Sequence, residues 1–273
     1  MSQSAAYRGR SFAIFCHAVG IVLALTLAGC SGKESAPTQQ SPPTAARQSA
    51  PAKVVDPATV GTITGTVTLE GAPPPPHEIM LSGSPACAKF HSSPLIYPEV
   101  VTGAHGALAD VIVYVKSGLE NYRFTAPPVV ARIDQRGCMY EPHVQGLMVG
   151  QKLSVTNTDP VLHNVLMLPR QNIPLNKSQP IGSTPIETSF DHPELAMKVL
   201  CNIHPWMCAY VFAFTHPYFD VTSKKGTFEL KNLPPGTYTI EAWQEKYGTQ
   251  DQNVILAAKE AKSISFAFKA GHN

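Results

Sequence analysis

The chain is poor in charge and in tryptophan: 15% of its 273 residues are Asp, Glu, Lys or Arg, and two are Trp. No basic run is interleaved with aromatic residues, so nothing is built to grip a phosphate backbone, and nucleic acid is excluded as a partner. No window of ten or more residues repeats its apolar positions with a helical period, which excludes a helical bundle. Gly-x-Ser-x-Gly, His-Glu-x-x-His and any phosphate-cradling glycine loop are missing, so hydrolase, zinc-protease and nucleotide chemistry have no motif to rest on. None of the ten histidines stands in a His-x-His pair. The expectation is a protein that is not an enzyme.

Long apolar runs are scarce as well. The one clear case, Phe12 to Leu27, follows Tyr7-Arg8-Gly9-Arg10 and ends in Leu27-Ala28-Gly29-Cys30. It falls short of the roughly 20 residues that span a bilayer. A charged start, an apolar centre and small residues before a cysteine read as a secretory signal, residues 1–29, with a lipoprotein-type cleavage site. Cys30 is then the expected lipid carrier, and the protein is held at a membrane outside the cytoplasm. Ser31 favours the periplasmic face of an outer membrane in a double-membrane bacterium. The alternative is an uncleaved anchor helix. Removing residues 1–29 takes away Arg8 and Arg10, leaving 21 − 2 = 19 basic against 19 acidic side chains. Residues 30–59, rich in Pro, Ser, Ala and Gln, read as a flexible tether.

What remains is patterned with period two. Thr62–Leu69, Val111–Val115, Lys152–Thr156, Tyr210–Phe214, Thr227–Leu230, Tyr238–Trp243 and Ser263–Phe268 alternate β-branched or aromatic residues with polar ones, and Pro- and Gly-bearing turns separate them. The predicted class is all-β, built as sandwiches.

One loop carries chemistry. Leu200-Cys201-Asn202-Ile203-His204-Pro205-Trp206-Met207-Cys208 places a thiol, an imidazole and a thioether at three-residue steps, and Pro205 disfavours a helix through them. An upstream partner is His163, in Asn157-Thr158-Asp159-Pro160-Val161-Leu162-His163-Asn164-Val165. One thiolate, two imidazoles and a thioether form a soft set suited to copper cycling between Cu(I) and Cu(II); zinc gains little from Met.

Residues 129–214 resemble the cupredoxins, in particular the short-loop amicyanin type, through His163-Asn164-Val165 upstream and Cys-x-x-His-Pro-aromatic-Met downstream. The resemblance implies a Greek-key β-sandwich and a type-1 copper. His163, Cys201 and His204 would be the equatorial ligands, and Met207 the weak axial one. Asn164 would brace the ligand loop through a hydrogen bond from just outside the ligand set. Two departures stand out: Leu162 where the family has Pro, and Cys208 directly after the axial Met, which brings thiol oxidation or alternative ligation into play. The implied role is one-electron transfer to a redox partner protein, docking where His204, beside Trp206, presents an imidazole edge at an apolar surface. A copper buffer or chaperone and a metal-free scaffold are the rival readings.

Of the other cysteines, Cys87 and Cys138 are the preferred disulfide, because export favours oxidation and Cys208 lies beside the proposed metal. A zinc site from Cys87, His91, Cys138 and His143 is the alternative. His77, His105, His192, His216 and His272 read as surface residues. His216 also begins a His-Pro-Tyr-Phe turn that could cap the strand below the site.

The segment 220–243, DVTSKKGTFELKNLPPGTYTIEAW, resembles the carboxypeptidase regulatory-like, transthyretin-type β-sandwich. About 50 residues are too few for that fold, and Gly61–Val67 and Ala109–Val115 resemble its first strands. The resulting division is residues 60–120 as first strands of this sandwich, or else an extension of the cupredoxin; 121–216 as the cupredoxin; and 217–273 as the rest of the transthyretin-like sandwich.

Overall fold

Alternating burial along Gly61–Glu70 shows the period-two pattern at work: every odd residue faces a core, and the even ones are half-buried or exposed. In the computed structural model, which describes residues 52–271, this strand, β1, is followed by β2 (Glu78–Ile79), the single turn α1 (Pro85–Ala88), β3 (Leu95–Ile96) and β4 (Ile112–Ser117). Then come β5 (Ala131–Arg136), β6 (Met139–Glu141), β7 (Val144–Met148), β8 (Leu153–Asn157), β9 (His163–Met167), β10 (Leu175–Gln179), β11 (Ile186–Thr188), β12 (Glu194–Leu200) and β13 (Cys208–Phe214). The chain closes with β14 (Phe219–Val221), β15 (Thr227–Leu233), β16 (Gly236–Gln244), β17 (Gly248–Leu256) and β18 (Ala261–Lys269). The expected signal segment, Cys30, most of the expected tether and His272 lie outside the described residues. Among the described residues no helix is long and apolar enough to cross a membrane.

The protein is all-β and its strands make two sandwiches. In the first, the sheet β15-β1-β18 faces the sheet β14-β4-β16-β17. Ile63, Val67 and Leu69 of β1 pack with Val113 and Val115 of β4, Ile240 and Ala242 of β16, and Phe266 and Phe268 of β18. Each Val, Leu, Ile or Phe among them contributes about 1.5–3 kcal/mol on burial. Gly65 is needed in β1 because the Phe228 ring and the Ile264 carbonyl occupy the space of a Cβ. In the second sandwich, β10-β9-β12-β13-β7 faces β11-β8-β5-β6. Its core includes Ile133, Leu147, Leu153, Val155, Val165, Val199 and Val211.

Strands β1 and β4 pair with strands after residue 216, not with any between 131 and 214. β1 runs parallel to β18 from Thr62↔Ala261 to Glu70↔Lys269, and β4 pairs with β14 at Tyr114↔Phe219 and with β16 at Val113↔Ala242.

The two sandwiches share a seam. All seven residues of β13 are buried, because Ala209, Val211 and Ala213 face the second core while Cys208, Tyr210, Phe212 and Phe214 face the first sandwich. Phe212 lies 5.0 Å from the Trp243 ring and Phe214 lies 4.8 Å from Tyr114, centroid to centroid. Such aromatic pairs add about 0.5–1.5 kcal/mol beyond the area they bury.

The long connection from β1 to β4 does not stay on its own sandwich. It carries α1 across to the second core, where Leu81 packs and Cys87 forms a disulfide with Cys138 in the β5–β6 hairpin. His216 corrects the expectation of a surface histidine: it is 8% exposed, faces the Val115 carbonyl through Nε2 at 2.9 Å and accepts the Tyr218 N–H at Nδ1. The turn around His216 therefore fastens onto β4, the strand beside it in the first sandwich.

Candidate metal centre

Two chain segments deliver the side chains. His163 opens β9, and Cys201, His204 and Met207 lie on the loop that joins β12 to β13. The loop before β9 is shaped by Asn157, whose side-chain carbonyl accepts the Asp159 N–H while its amide donates to the carbonyls of Val161 and Gln179. In the β12–β13 loop the Met207 N–H returns to the His204 carbonyl at 2.9 Å, closing a turn through Pro205, which has no N–H to give. Asn164 ties the two segments together: its side-chain oxygen accepts the Asn202 N–H at 3.3 Å and its amide donates to Asn176 at 2.9 Å. The Tyr140 hydroxyl adds a second tie, 2.6 Å from the Asn164 carbonyl and 3.0 Å from that of Leu200.

The structure brings His163, Cys201 and His204 together. Nδ1 of His163 lies 3.0 Å from Nδ1 of His204, which is 3.9 Å from Sγ of Cys201, and all three groups are buried. Donor atoms that share one ion at bonds of about 2.0–2.3 Å stand about this far apart, so the trio fits a single bound cation. Met207 is fully buried in the same core. Cys208 faces the seam instead, and burial pushes its thiol up.

The surroundings shift the side chains of the trio in different directions. Burial works against the Cys201 thiolate, yet the His163 side chain and the N–H groups of His204, Ile203 and Asn164 hold the thiol below its usual value. Burial likewise opposes the His163 cation, but Asp159 and Cys201 outweigh it and raise the group. His204 is lowered, by burial first and then by the charge of His163. Asp159 is lowered despite burial, through His163 and the N–H groups of Cys138 and Gly137.

Asp159 and Tyr140 were not singled out by sequence reasoning. Asp159 sits in Asn-Thr-Asp-Pro, which reads as a turn, and its spacing of four residues from His163 was the available signal.

Two expectations need correction. The His204 ring edge is not presented at the surface: it is 6% exposed, its Nε2 is 3.4 Å from Sγ of Cys87, and the Trp206 ring stands 5.2 Å away. The α1 excursion covers it, an effect of chain path that local spacing does not reveal. Exposed apolar side chains persist beside the trio, at Leu162 and Ile203. The alternative zinc set is not assembled either. Cys87 and Cys138 are disulfide-bonded, His91 Nε2 pairs with the Gly137 carbonyl, and His143 lies between the Cys208 carbonyl and Glu245.

Fold and site together define an all-β protein with a buried centre of two imidazoles and one thiol. No protein-family model matches the chain, and no curated protein matches it. Among solved structures, part of the chain is similar to a Cu-containing nitrite reductase from Thermus scotoductus SA-01, at 20% identity over 33% of this chain and 23% of that one, with a TM-score of 0.30. A purple cupredoxin from Nitrosopumilus maritimus is 23% identical over 30% of this chain and 98% of its own length, with a TM-score of 0.27. A methionine-to-alanine mutant of amicyanin, in its Cu(I) form, is 18% identical over 37% of this chain and 97% of its own, also with a TM-score of 0.27.

Proposed function

We propose that this protein is a type-1 copper protein of the cupredoxin kind that carries single electrons, exported and anchored to a membrane through lipid on Cys30. The observation that carries the reading is the convergence of Nδ1 of His163, Nδ1 of His204 and Sγ of Cys201 in a buried loop pair. Copper held there by His163, Cys201 and His204, with the Met207 thioether as a further donor, would supply a Cu(I)/Cu(II) couple. The chain's part is to keep the donors still. Asp159 fixes the His163 ring, backbone N–H groups hold the Cys201 sulfur, and Asn164 and Tyr140 lock the two segments. Donors that do not move between oxidation states keep the reorganisation cost of electron exchange low, and burial excludes water that would compete for the ion. A partner protein would dock on the apolar surround of Leu162, Ile203 and Trp206.

A copper buffer would need donors that open readily. The test is repeated cycling of the copper-loaded full chain with ascorbate and ferricyanide in the presence of a Cu(I) chelator. A carrier passes one electron per cycle and keeps its copper; loss of the ion to the chelator in the reduced state would favour the buffer.

We further propose that residues 121–216 are a cupredoxin-like domain inserted into a transthyretin-type sandwich. The pairing of Tyr114 with Phe219 supports this, since it puts the chain before and after the segment on neighbouring strands. Limited proteolysis under reducing conditions should leave a stable fragment bounded near 121 and 216. A fragment reaching back to residue 60 speaks for the serial arrangement.

A further inference from the structure

His204 has two ring nitrogens and two sulfur-bearing neighbourhoods. Its Nδ1 faces His163 and Cys201; its Nε2 faces Sγ of Cys87 at 3.4 Å. Among the described residues Nε2 has no oxygen or nitrogen partner, although the ring is 6% exposed. Metal-binding histidines ordinarily give their outer nitrogen to a carboxylate, a carbonyl or water, as His163 does with Asp159 at 2.9 Å. Donor atoms of Cys87, Cys138 and His204 all lie within 4.8 Å of one another. A disulfide sulfur is a poor ligand, whereas a thiolate is a strong one. The cluster therefore becomes a ligand set only when the Cys87–Cys138 bond is open.

We propose that Cys87, Cys138 and His204 form a second, redox-gated site that takes a soft monovalent cation of the Cu(I) class once the disulfide is reduced. An external dithiol breaks the S–S bond, giving its two electrons and two protons to the pair and leaving as its own disulfide. Binding of the ion then releases the two thiol protons. Two thiolates with one imidazole form a thiolate-dominated set of the kind that holds Cu(I).

The frame that keeps the trio together does not depend on the S–S bond. Cys138 is held by its N–H to Asp159 at 2.7 Å and by the Trp206 indole, which donates to its carbonyl at 3.0 Å. The Cys87 turn is tied to the same hairpin through His91 and the Gly137 carbonyl at 2.8 Å. Access for a reductant comes through α1, a four-residue turn without a side-chain cap and flanked by exposed residues, which is the kind of element that opens locally. A neutral imidazole has one lone pair, so His204 serves the inner set through Nδ1 or the outer set through Nε2, and the two sites compete for it. The outer site is thus placed to hold an ion while the inner one is empty.

The inference does not rest on copper in the inner site, and the test separates the two. The full chain carrying Cys201→Ser is compared before and after treatment with dithiothreitol under anaerobic conditions. Free thiols are counted, and Cu(I) is added in competition with bicinchoninate. The expected result is two additional thiols and one additional Cu(I) retained per chain. His204→Ala, which leaves both cysteines in place, should lose that ion to the chelator. The proposal is overturned if the thiols appear without added copper retention, if no thiols can be freed while the fold persists, or if Cys87→Ser/Cys138→Ser gains the same copper on treatment.

Discussion

The carboxylate of Asp159 stands 2.9 Å from Nε2 of His163, and the same group accepts the N–H of Gly137 at 2.6 Å and of Cys138 at 2.7 Å. One side chain therefore orients the His163 ring and fixes the hairpin that bears Cys138. A carboxylate behind an imidazole fixes its tautomer and raises its basicity.

Asp159→Asn keeps the size of the side chain and removes its charge. Copper affinity should fall about 10–100-fold, the usual cost of losing such a support, measured by competition against a Cu(II) chelator. Unchanged affinity would show that the Asp159 contact serves only the fold.

His216 gives a pH dependence with a definite sign. Burial depresses the group from 6.5 to about 4, so between those values the unfolded chain holds a proton that the folded chain lacks. Stability is complete above pH 6.5 and is lost as the pH falls toward 4, by up to about 3 kcal/mol. Subtracting the urea-unfolding free energies of His216→Gln from those of the parent should reveal this slope, and parallel curves would refute it.

The seam between the sandwiches should act as a core. Phe212 is 1% exposed and contacts the rings of Trp243, Phe214 and Tyr114. Phe212→Ala is expected to cost about 3–5 kcal/mol, read as a lower urea midpoint by circular dichroism. A loss under about 1 kcal/mol would mean that the seam is loosely packed.

The strands and the Cys201-His204-Met207 loop were legible because both signals are local. Period-two alternation marks Tyr210–Phe214 as a strand, and the three-residue steps of Cys201, His204 and Met207 mark one loop. What covers those residues depends on distant chain. The aromatic side of β13 reads as a strand face, but Trp243 lies 31 residues beyond the Phe212 it meets and Tyr114 lies 98 before it. The burial of His204 under Cys87, 117 residues earlier, is of the same kind. A His-Pro turn is normally solvated, whereas the one at His216 closes onto Val115.

The most direct test of the account is the visible spectrum of the full chain titrated with Cu(II), set beside Cys201→Ser. The account predicts an intense thiolate-to-copper band that saturates at one equivalent and is absent from the variant. A colourless protein, or a band that survives Cys201→Ser, would contradict it.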